Sequence, residues 1–139
     1  MICRSLNQID LPALLQLIAF YPELNWSPAM LETSLQLRQN QAFGLFDEAN
    51  LVCFALLQVV GDEADLLLIA TSPPYRKQGH AMALLKRVCA PFEKIFLEVR
   101  AGNQAACKLY ERCGFQKIGL RKNYYINPVE DGLQYQFRR

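Results

Sequence analysis

The residues that decide the fold read Ile69-Ala70-Thr71-Ser72-Pro73-Pro74-Tyr75-Arg76-Lys77-Gln78-Gly79-His80-Ala81-Met82. An apolar run ends at two prolines, and a helical pattern resumes at about Gly79. A turn between a strand and a helix directs backbone N–H groups and the positive end of the helix dipole at one place. Gly79 lets a ligand approach the backbone, while Arg76 and Lys77 add positive charge. The stretch predicts an anion-binding turn; the alternative is a plain helix N-terminus with solvated basic side chains.

The segments before this turn predict a meander of antiparallel strands. Runs rich in β-forming residues occupy positions 42–46, 51–60 and 65–70, and four polar or small residues separate each run from the next. The third run contains Leu66-Leu67-Leu68-Ile69-Ala70 and is apolar throughout. We therefore expect a central strand that is buried on both faces.

Two helices are predicted before the meander. The first covers residues 11–20, with Asp10 as its N-cap and Pro12 in its first turn. The second begins at Ser27-Pro28 and ends near residues 38–40. The run from 11 to 20 is too short to span a bilayer and lacks the features of a signal peptide, so we expect a cytoplasmic protein with no membrane partner.

The segments after the turn alternate between helix and strand. Pro91 ends the third helix, and a strand follows over residues 95–100. Because a helix lies between this strand and the one that ends at Ala70, the two are expected to run parallel. A fourth helix is expected from Asn103 to about Cys113, followed by Gly114 at the position that ends a helix. The last two predicted strands form a hairpin and cover residues 116–120 and 133–138.

Length and composition are consistent with one domain over residues 1–139. Hydrophobic residues make up 52% of the chain, which is too many for a disordered protein. The chain has five cysteines without a Cys-x-x-Cys pair, and a single histidine, so we expect reduced thiols and no metal site. The predicted fold class is α/β (α+β): a mixed, mostly antiparallel sheet with one parallel strand pair, flanked by helices.

The two halves of the chain carry opposite charge. Up to Ile69 there are two basic and eight acidic residues, whereas the remainder has thirteen basic and five acidic residues. Such asymmetry is consistent with a nucleic acid, a membrane surface or a small polyanion as partner, and composition does not choose between them.

Several segments together resemble the GNAT acetyltransferases. Arg76-x-x-Gly79-x-Ala81 matches the R/Q-x-x-G-x-G/A signature of that family and follows an apolar strand, as it does there. Within the family, the similarity is greatest to the bacterial enzymes that acetylate the N-terminal alanine of a ribosomal protein. The other segments that carry it are Leu97-Glu98-Val99-Arg100-Ala101-Gly102-Asn103, Leu109-Tyr110-Glu111-Arg112-Cys113-Gly114-Phe115 and Arg121-Lys122-Asn123-Tyr124-Tyr125.

The resemblance implies a GNAT fold with a splayed parallel strand pair, and acetyl-CoA as co-substrate without a metal. The pyrophosphate would lie on the backbone amides of residues 77–82, and the pantetheine arm would pair with the end of the central strand. The cofactor-binding residues implied in this way are Ile69, Ala70, Thr71, Arg76, Lys77, Gln78, Gly79, His80, Ala81, Met82 and Asn103.

The resemblance also implies Glu98 as the base and Tyr110 as the acid of the transfer. Strand alternation places Glu98 on the face of its strand opposite to Leu97, where a carboxylate needs partners. The alternative role for Glu98 is an ion pair with a neighbouring basic residue. Asn103 and Tyr110 are seven positions apart and therefore share a helix face. On spacing alone, Asn103 could equally be only a helix cap and Tyr110 only a core residue.

The acceptor implied is a primary amine at the N-terminus of a protein, possibly a ribosomal one. An α-amino group is about a tenth neutral at pH 7, whereas a lysine is less than about a thousandth neutral, so a modest base suffices for the former. We expect direct attack in a ternary complex, with the oxyanion held by a backbone N–H near Thr71. Tyr124 and Tyr125 are expected to face the peptide. The alternative is that they lie at the edge of a hairpin, among solvated charged side chains.

Two other functions remain open on the sequence alone. One is a GNAT enzyme that acetylates a small free amine. The other is a nucleic-acid-binding module that uses the basic half of the chain, although the apolar strands argue against it and we expect no direct nucleic-acid contact. The expected oligomeric state is a monomer or a weak dimer.

Overall fold

A computed structural model describes all of residues 1–139 as seven β-strands and four α-helices. The strands are β1 (Ile2–Ser5), β2 (Asn40–Asp47), β3 (Asn50–Val60), β4 (Glu63–Thr71), β5 (Lys94–Arg100), β6 (Gln116–Tyr125) and β7 (Glu130–Arg138). The helices are α1 (Leu11–Ile18), α2 (Pro28–Gln36), α3 (His80–Cys89) and α4 (Gln104–Arg112). Short 3-10 turns over Gln8–Asp10, Pro22–Leu24 and Pro73–Tyr75 precede the first three helices.

The seven strands form one sheet in the order β1-β2-β3-β4-β5-β7-β6. All neighbouring pairs are antiparallel except β4 and β5, which run parallel and are linked through α3. The parallel pairing extends over three residue pairs, from Glu63 opposite Lys94 to Asp65 opposite Phe96, and the two strands then diverge. The predicted mixed fold, with its meander and its one parallel pair, is confirmed.

A β-bulge interrupts the central strand β4. Leu66 pairs with Leu57 of β3 and Leu68 pairs with Leu56, so Leu67 has no partner on β3. The extra residue inverts the alternation of side chains: Leu66 belongs to the core beneath α3, and Leu68 to the core beneath α1 and α2.

The expectation that this strand is buried on both faces was wrong at two of its positions. Leu67 is 36% exposed and Ile69 is half-buried, whereas Leu66, Leu68 and Ala70 are buried. Two features explain why the run is apolar throughout. The bulge changes which side chains face which core, and the edge of β4 beyond its pairing with β5 lines an open cleft.

The sheet separates two hydrophobic cores. One lies under α3 and α4 and contains Leu84, Leu85 and Tyr110, and the other lies under α1 and α2 and contains Leu14 and Leu31. Each fully buried leucine contributes roughly 1.5–3 kcal/mol relative to an exposed one. Helices therefore cover β2 to β4 on both faces, which fixes the position of the strand that borders the cleft.

The helix ends follow local capping chemistry. Ser27 caps α2 as expected, because its hydroxyl accepts a hydrogen bond from the Met30 N–H at 3.1 Å. The helix ends at Gln36, earlier than expected, since Leu37 has an extended backbone. Gly114 follows α4 with a φ of +93°, a left-handed conformation that suits glycine, as the sequence predicts.

Asp10 occupies the N-cap position of α1, as expected, but its side chain makes no capping hydrogen bond to that helix. A 3-10 turn begins the helical segment earlier, and Asn7 caps it by accepting a hydrogen bond from the Ile9 N–H at 2.9 Å. The Asp10 carboxylate accepts from the Asn7 N–H at 3.0 Å and pairs with Arg4 at 2.9 Å, which lowers its pKa. The helix α1 itself ends at Ile18.

The hairpin of β6 and β7 is longer than the sequence predicts. Almost every residue of β6 is exposed, because this strand forms the edge of the sheet and has no buried face to impose an alternating pattern. Among the helices, none combines the length and apolarity that crossing a membrane requires.

Candidate active site

A cleft of about 850 Å³ opens where β4 and β5 diverge, a volume in the range of small-molecule sites. Residues 66–71 of β4 form its floor. The start of α3, the inward face of α4, the end of β5 and the connection between α1 and α2 provide its walls. The cleft therefore lies at the carboxyl end of the central strand, where the sequence places the anion-binding turn.

The turn between β4 and α3 has the geometry of an anion site. Lys77 and Gly79 both adopt left-handed backbone conformations, with φ of +61° and +83°. Because α3 begins at His80, its unpaired N–H groups follow directly. No atom lies within 4 Å of the position that a Cβ on Gly79 would occupy, so the backbone there is open to a ligand.

Nearly all the residues expected to bind the cofactor border this cleft. They are Ile69, Ala70, Thr71, Arg76, Lys77, Gly79, His80, Ala81, Met82 and Asn103. Gln78 is the exception, because its side chain turns back to donate to the Pro74 carbonyl at 3.2 Å and lies 3.3 Å from the His80 ring nitrogen. Only its backbone is available to a ligand in the turn.

Glu98 lies on the half-buried face of β5 and borders the cleft. Its Oε1 is 3.3 Å from Arg121 Nε on β6, so the ion pair considered as the alternative is present. Its Oε2 is buried and has no hydrogen-bond partner. One oxygen of the carboxylate is therefore committed to Arg121, whereas the other remains available.

Tyr110 lies on α4 and is 7% exposed, yet it also borders the cleft. Its ring packs against Phe115 and Tyr135, with centroids 5.7 and 6.2 Å apart. Burial raises the pKa of Tyr110 well above its ordinary value, so the phenol is protonated at neutral pH. It is at once a core tyrosine and a protonated phenol that borders the cleft.

Asn103 is a helix cap that also borders the cleft. Its side-chain oxygen caps α4 by accepting a hydrogen bond from the Ala106 N–H at 3.1 Å. It borders the cleft together with Ala106 and Tyr110, which confirms that this face of α4 points inward.

The two adjacent tyrosines of β6 have different positions. Tyr125 borders the cleft, and burial followed by the nearby Glu98 charge raises the pKa of Tyr125 to about 12. Tyr124 does not border the cleft: it lies over Gly132, where a Cβ would be 3.1–3.3 Å from its ring. The pairing of β6 with β7 is irregular between Arg121 and Tyr125, and Asn123 has a φ of +53°, so regular strand alternation does not hold here. The centroid of the Tyr124 ring is 5.0 Å from that of Tyr125, edge to face.

Sequence reasoning missed the connection between α1 and α2, which forms one wall of the cleft. Tyr21, Glu23 and Trp26 border the cleft, and the Tyr21 hydroxyl donates to the Thr71 carbonyl at 2.6 Å. The only available signal was a proline-containing break between two predicted helices, which does not reveal where the break packs.

The bulge at Leu67 was also missed, although the sequence carries a signal for it. Three consecutive leucines cannot all face one core in a regular strand, so a change of face is one explanation of the run. Near Thr71, the Ser72 N–H is already bonded to the Val52 carbonyl at 2.7 Å. On the cleft floor, Leu67 has no register partner on either β3 or β5.

The chain belongs to the acetyltransferase (GNAT) family, whose profile matches residues 11–115, and it is an acetyl-CoA-dependent N-acetyltransferase. It is 38% identical over 135 residues to the ribosomal protein bS18-alanine N-acetyltransferase of Escherichia coli strain K12, covering 94% of this chain and 89% of that protein. It is 32% identical over 120 residues to the N-alpha-acetyltransferase RimI of Mycobacterium tuberculosis, covering 82% of this chain and 75% of that protein.

The crystal structure of the ribosomal-protein-S18-alanine N-acetyltransferase from Escherichia coli has the same fold. The TM-score is 0.89 at 34% identity, and the alignment covers 99% of this chain and 92% of that one. The family resemblance, the fold class and acetyl-CoA as co-substrate are therefore confirmed.

Proposed function

We propose that this chain transfers the acetyl group of acetyl-CoA to the N-terminal α-amine of a protein, and that the acceptor is the N-terminal alanine of a ribosomal protein. The observation that carries the proposal is 38% identity over 94% of the chain to an enzyme named for that reaction. The similarity extends across both sides of the cleft, so it includes the elements that bind an acceptor as well as those that bind the co-substrate.

Acetyl-CoA is held mainly by backbone. Its pyrophosphate lies on the N–H groups of residues 77–82, with the positive charges of Arg76 and Lys77 beside it. Its pantetheine arm pairs with the edge of β4 that β5 leaves free after Asp65, and Asn103 donates to the arm from α4. The open space at Gly79 and the short pairing between β4 and β5 support this placement.

The transfer follows from the two side chains that border the middle of the cleft. Glu98 accepts a proton from the acceptor ammonium at its unpartnered Oε2, directly or through water. The neutral amine attacks the thioester carbonyl, and a backbone N–H at the Leu67 bulge holds the oxyanion of the tetrahedral intermediate. When the carbon–sulfur bond breaks, Tyr110 donates its proton to the departing thiolate; the nitrogen of the new amide gives up its second proton to solvent, from which the Tyr110 phenolate is reprotonated.

The charge state of the acceptor favours an α-amine over a lysine. An α-amino group has a pKa of about 7.7–8.0 and a lysine about 10.4, so at neutral pH the former needs far less assistance to become a nucleophile. Glu98 Oε1 pairs with Arg121, which leaves Oε2 to accept the one proton that an α-ammonium must lose before the amine attacks. We further propose that residues 1–139 act as a single domain in the cytoplasm, as a monomer or weak dimer, without direct contact to nucleic acid.

A competition between three acceptors tests the proposal. The purified chain with acetyl-CoA is given a peptide that begins with alanine, the same peptide with a blocked N-terminus and one internal lysine, and spermidine. We expect CoA release and a mass increase of one acetyl group with the first peptide only. Acetylation of spermidine without acetylation of the peptide would contradict the proposal and favour a small-amine enzyme.

A thermal shift separates co-substrate binding from acceptor choice. Acetyl-CoA at about 100 times its Kd stabilises a fold by roughly 2.7 kcal/mol, a rise in Tm of several degrees. We expect this rise without any acceptor. Salt-sensitive RNA binding with no response to acetyl-CoA would instead support the nucleic-acid alternative.

A further inference from the structure

Arg100 is a half-buried cation that neither the anion-binding turn nor the proton transfers use. It ends β5, two positions after Glu98 and on the same face of the strand, and it borders the cleft. Its side chain is 15% exposed. A buried guanidinium needs several acceptors, and the positions of those acceptors show what it holds in place.

The acceptors of Arg100 all belong to the connection between β6 and β7 or to its boundary. Nη2 donates to the Ile126 carbonyl at 3.1 Å and Nη1 to the Pro128 carbonyl at 2.9 Å. Nη1 also pairs with Glu130 Oε1 at 3.3 Å. The guanidinium carbon lies 4.6 Å from the centroid of the Tyr125 ring. One planar side chain thus contacts both ends and the middle of the connection.

Glu130 extends this set of contacts to the start of α4. Its other oxygen, Oε2, accepts a hydrogen bond from the Gly102 N–H. A Cβ at position 102 would collide with that carboxylate, so glycine is required there for the contact. The end of β5, the segment that leads into α4 and the β6–β7 connection are therefore joined through Arg100 and Glu130.

The connection has few other contacts to hold it. Ile126 and Val129 are 67% and 65% exposed and belong to neither hydrophobic core. Tyr125, at one end of the connection, borders the cleft beside Glu98. The wall of the cleft at Tyr125 therefore depends on the guanidinium more than on packing.

We propose that Arg100 is a positioning residue for the acceptor: it fixes the β6–β7 connection and Tyr125 as the wall against which the N-terminal residues of the acceptor protein bind. This rests on the proposed function. All residues assigned to acetyl-CoA except Asn103 lie in the stretch from Ile69 to Met82, which Arg100 does not contact, so the main effect of Arg100 falls on acceptor binding.

Steady-state kinetics with an alanine-initiated peptide tests this role. Arg100→Gln leaves two carbonyls and a carboxylate without their donor, and we expect the KM for the peptide to rise roughly tenfold while the KM for acetyl-CoA and kcat change less than about threefold. Arg100→Lys keeps the ion pair with Glu130 but cannot reach both carbonyls, so we expect an intermediate KM for the peptide. Glu130→Gln should raise that KM by less than Arg100→Gln.

The matched control is Lys94→Gln, which removes a cation from the same face of the same strand, at its far end and outside the cleft. It should leave both KM values unchanged. An unchanged KM for the peptide in both Arg100 variants would overturn the proposal, as would equal changes for the two substrates. If the unsubstituted protein acetylates no peptide at all, the proposed function is wrong. The Tm of the Arg100 variants then shows only whether Arg100 stabilises the β6–β7 connection.

Discussion

The two sides of the cleft are built by different means. The side of the cleft that we assign to the co-substrate is, apart from Asn103, one continuous stretch of fourteen residues from Ile69 to Met82, with an open backbone at Gly79. The side that we assign to the acceptor combines side chains from three distant segments: the α1–α2 connection, the end of β5 and the β6–β7 hairpin. A ligand that never varies can be bound by backbone, whereas an acceptor must be selected by side chains.

This difference makes the two sides respond differently to substitution. Changes in the turn should alter the binding of acetyl-CoA and leave acceptor binding and turnover unchanged. Changes on the other side should alter turnover or acceptor binding, and leave acetyl-CoA bound. The three variants that follow are arranged from the largest expected effect to the smallest.

The largest effect is expected for Glu98→Gln. Loss of general-base assistance lowers kcat/KM by about 100-fold at pH 7. The deficit should shrink as the pH rises past the α-amino pKa of about 8, because the acceptor then loses its proton unaided. The measurement is a pH profile from 6 to 10 with Glu93→Gln, outside the cleft, as the control. A deficit that is constant over this range would show that Glu98 does not remove the proton.

Tyr110→Phe should have the next largest effect. Without the phenol the thiolate departs unprotonated, and we expect kcat to fall by about tenfold with an unchanged Kd for acetyl-CoA. Tyr135→Phe is the matched control: its ring packs against Tyr110, but its hydroxyl donates to Glu111 at 2.8 Å, away from the cleft. That variant should lose about 1 kcal/mol of stability and keep its kcat. Equal loss of turnover in both would mean that ring packing, and not the hydroxyl, is what matters.

The smallest effect is expected for Gly79→Ala, on the co-substrate side. The left-handed backbone costs a residue with a Cβ about 1–2 kcal/mol, and the new methyl group enters the space left for the ligand. We expect a Kd for acetyl-CoA raised about fivefold, from the methyl group, and a Tm lowered by a few degrees.

Gly61→Ala separates the two contributions. Gly61 has a similar φ of +62° and equally open space, but it lies in the β3–β4 turn outside the cleft. It should show the same fall in Tm with an unchanged Kd. If Gly79→Ala leaves the Kd for acetyl-CoA unchanged, the turn is not the pyrophosphate site.

The same contrast explains which features could be predicted from the sequence. Local periodicity and motifs predict the turn and the parallel crossover. They also predict the strand face of Glu98 and the helix face that Tyr110 shares with Asn103. The sequence did not distinguish Tyr125, which borders the cleft, from Tyr124, which does not, because irregular pairing between Arg121 and Tyr125 breaks strand alternation there. The Tyr21 hydrogen bond and the contacts of Arg100 depend on segments 50 and 28 residues apart, which no local pattern reports.

The short parallel pairing has a mechanical consequence. Because β4 and β5 are paired over only three residue pairs, the sheet consists of two well-paired parts, β1 to β4 and β5 to β7, joined by a short parallel pairing. Beyond that pairing, β4 has a neighbouring strand on one side only. Without ligand, amide hydrogen exchange should therefore be faster where β4 and β5 meet than within either part of the sheet. A molecule bound along β4 would take the place of a strand there and would make the connection between the two parts more rigid.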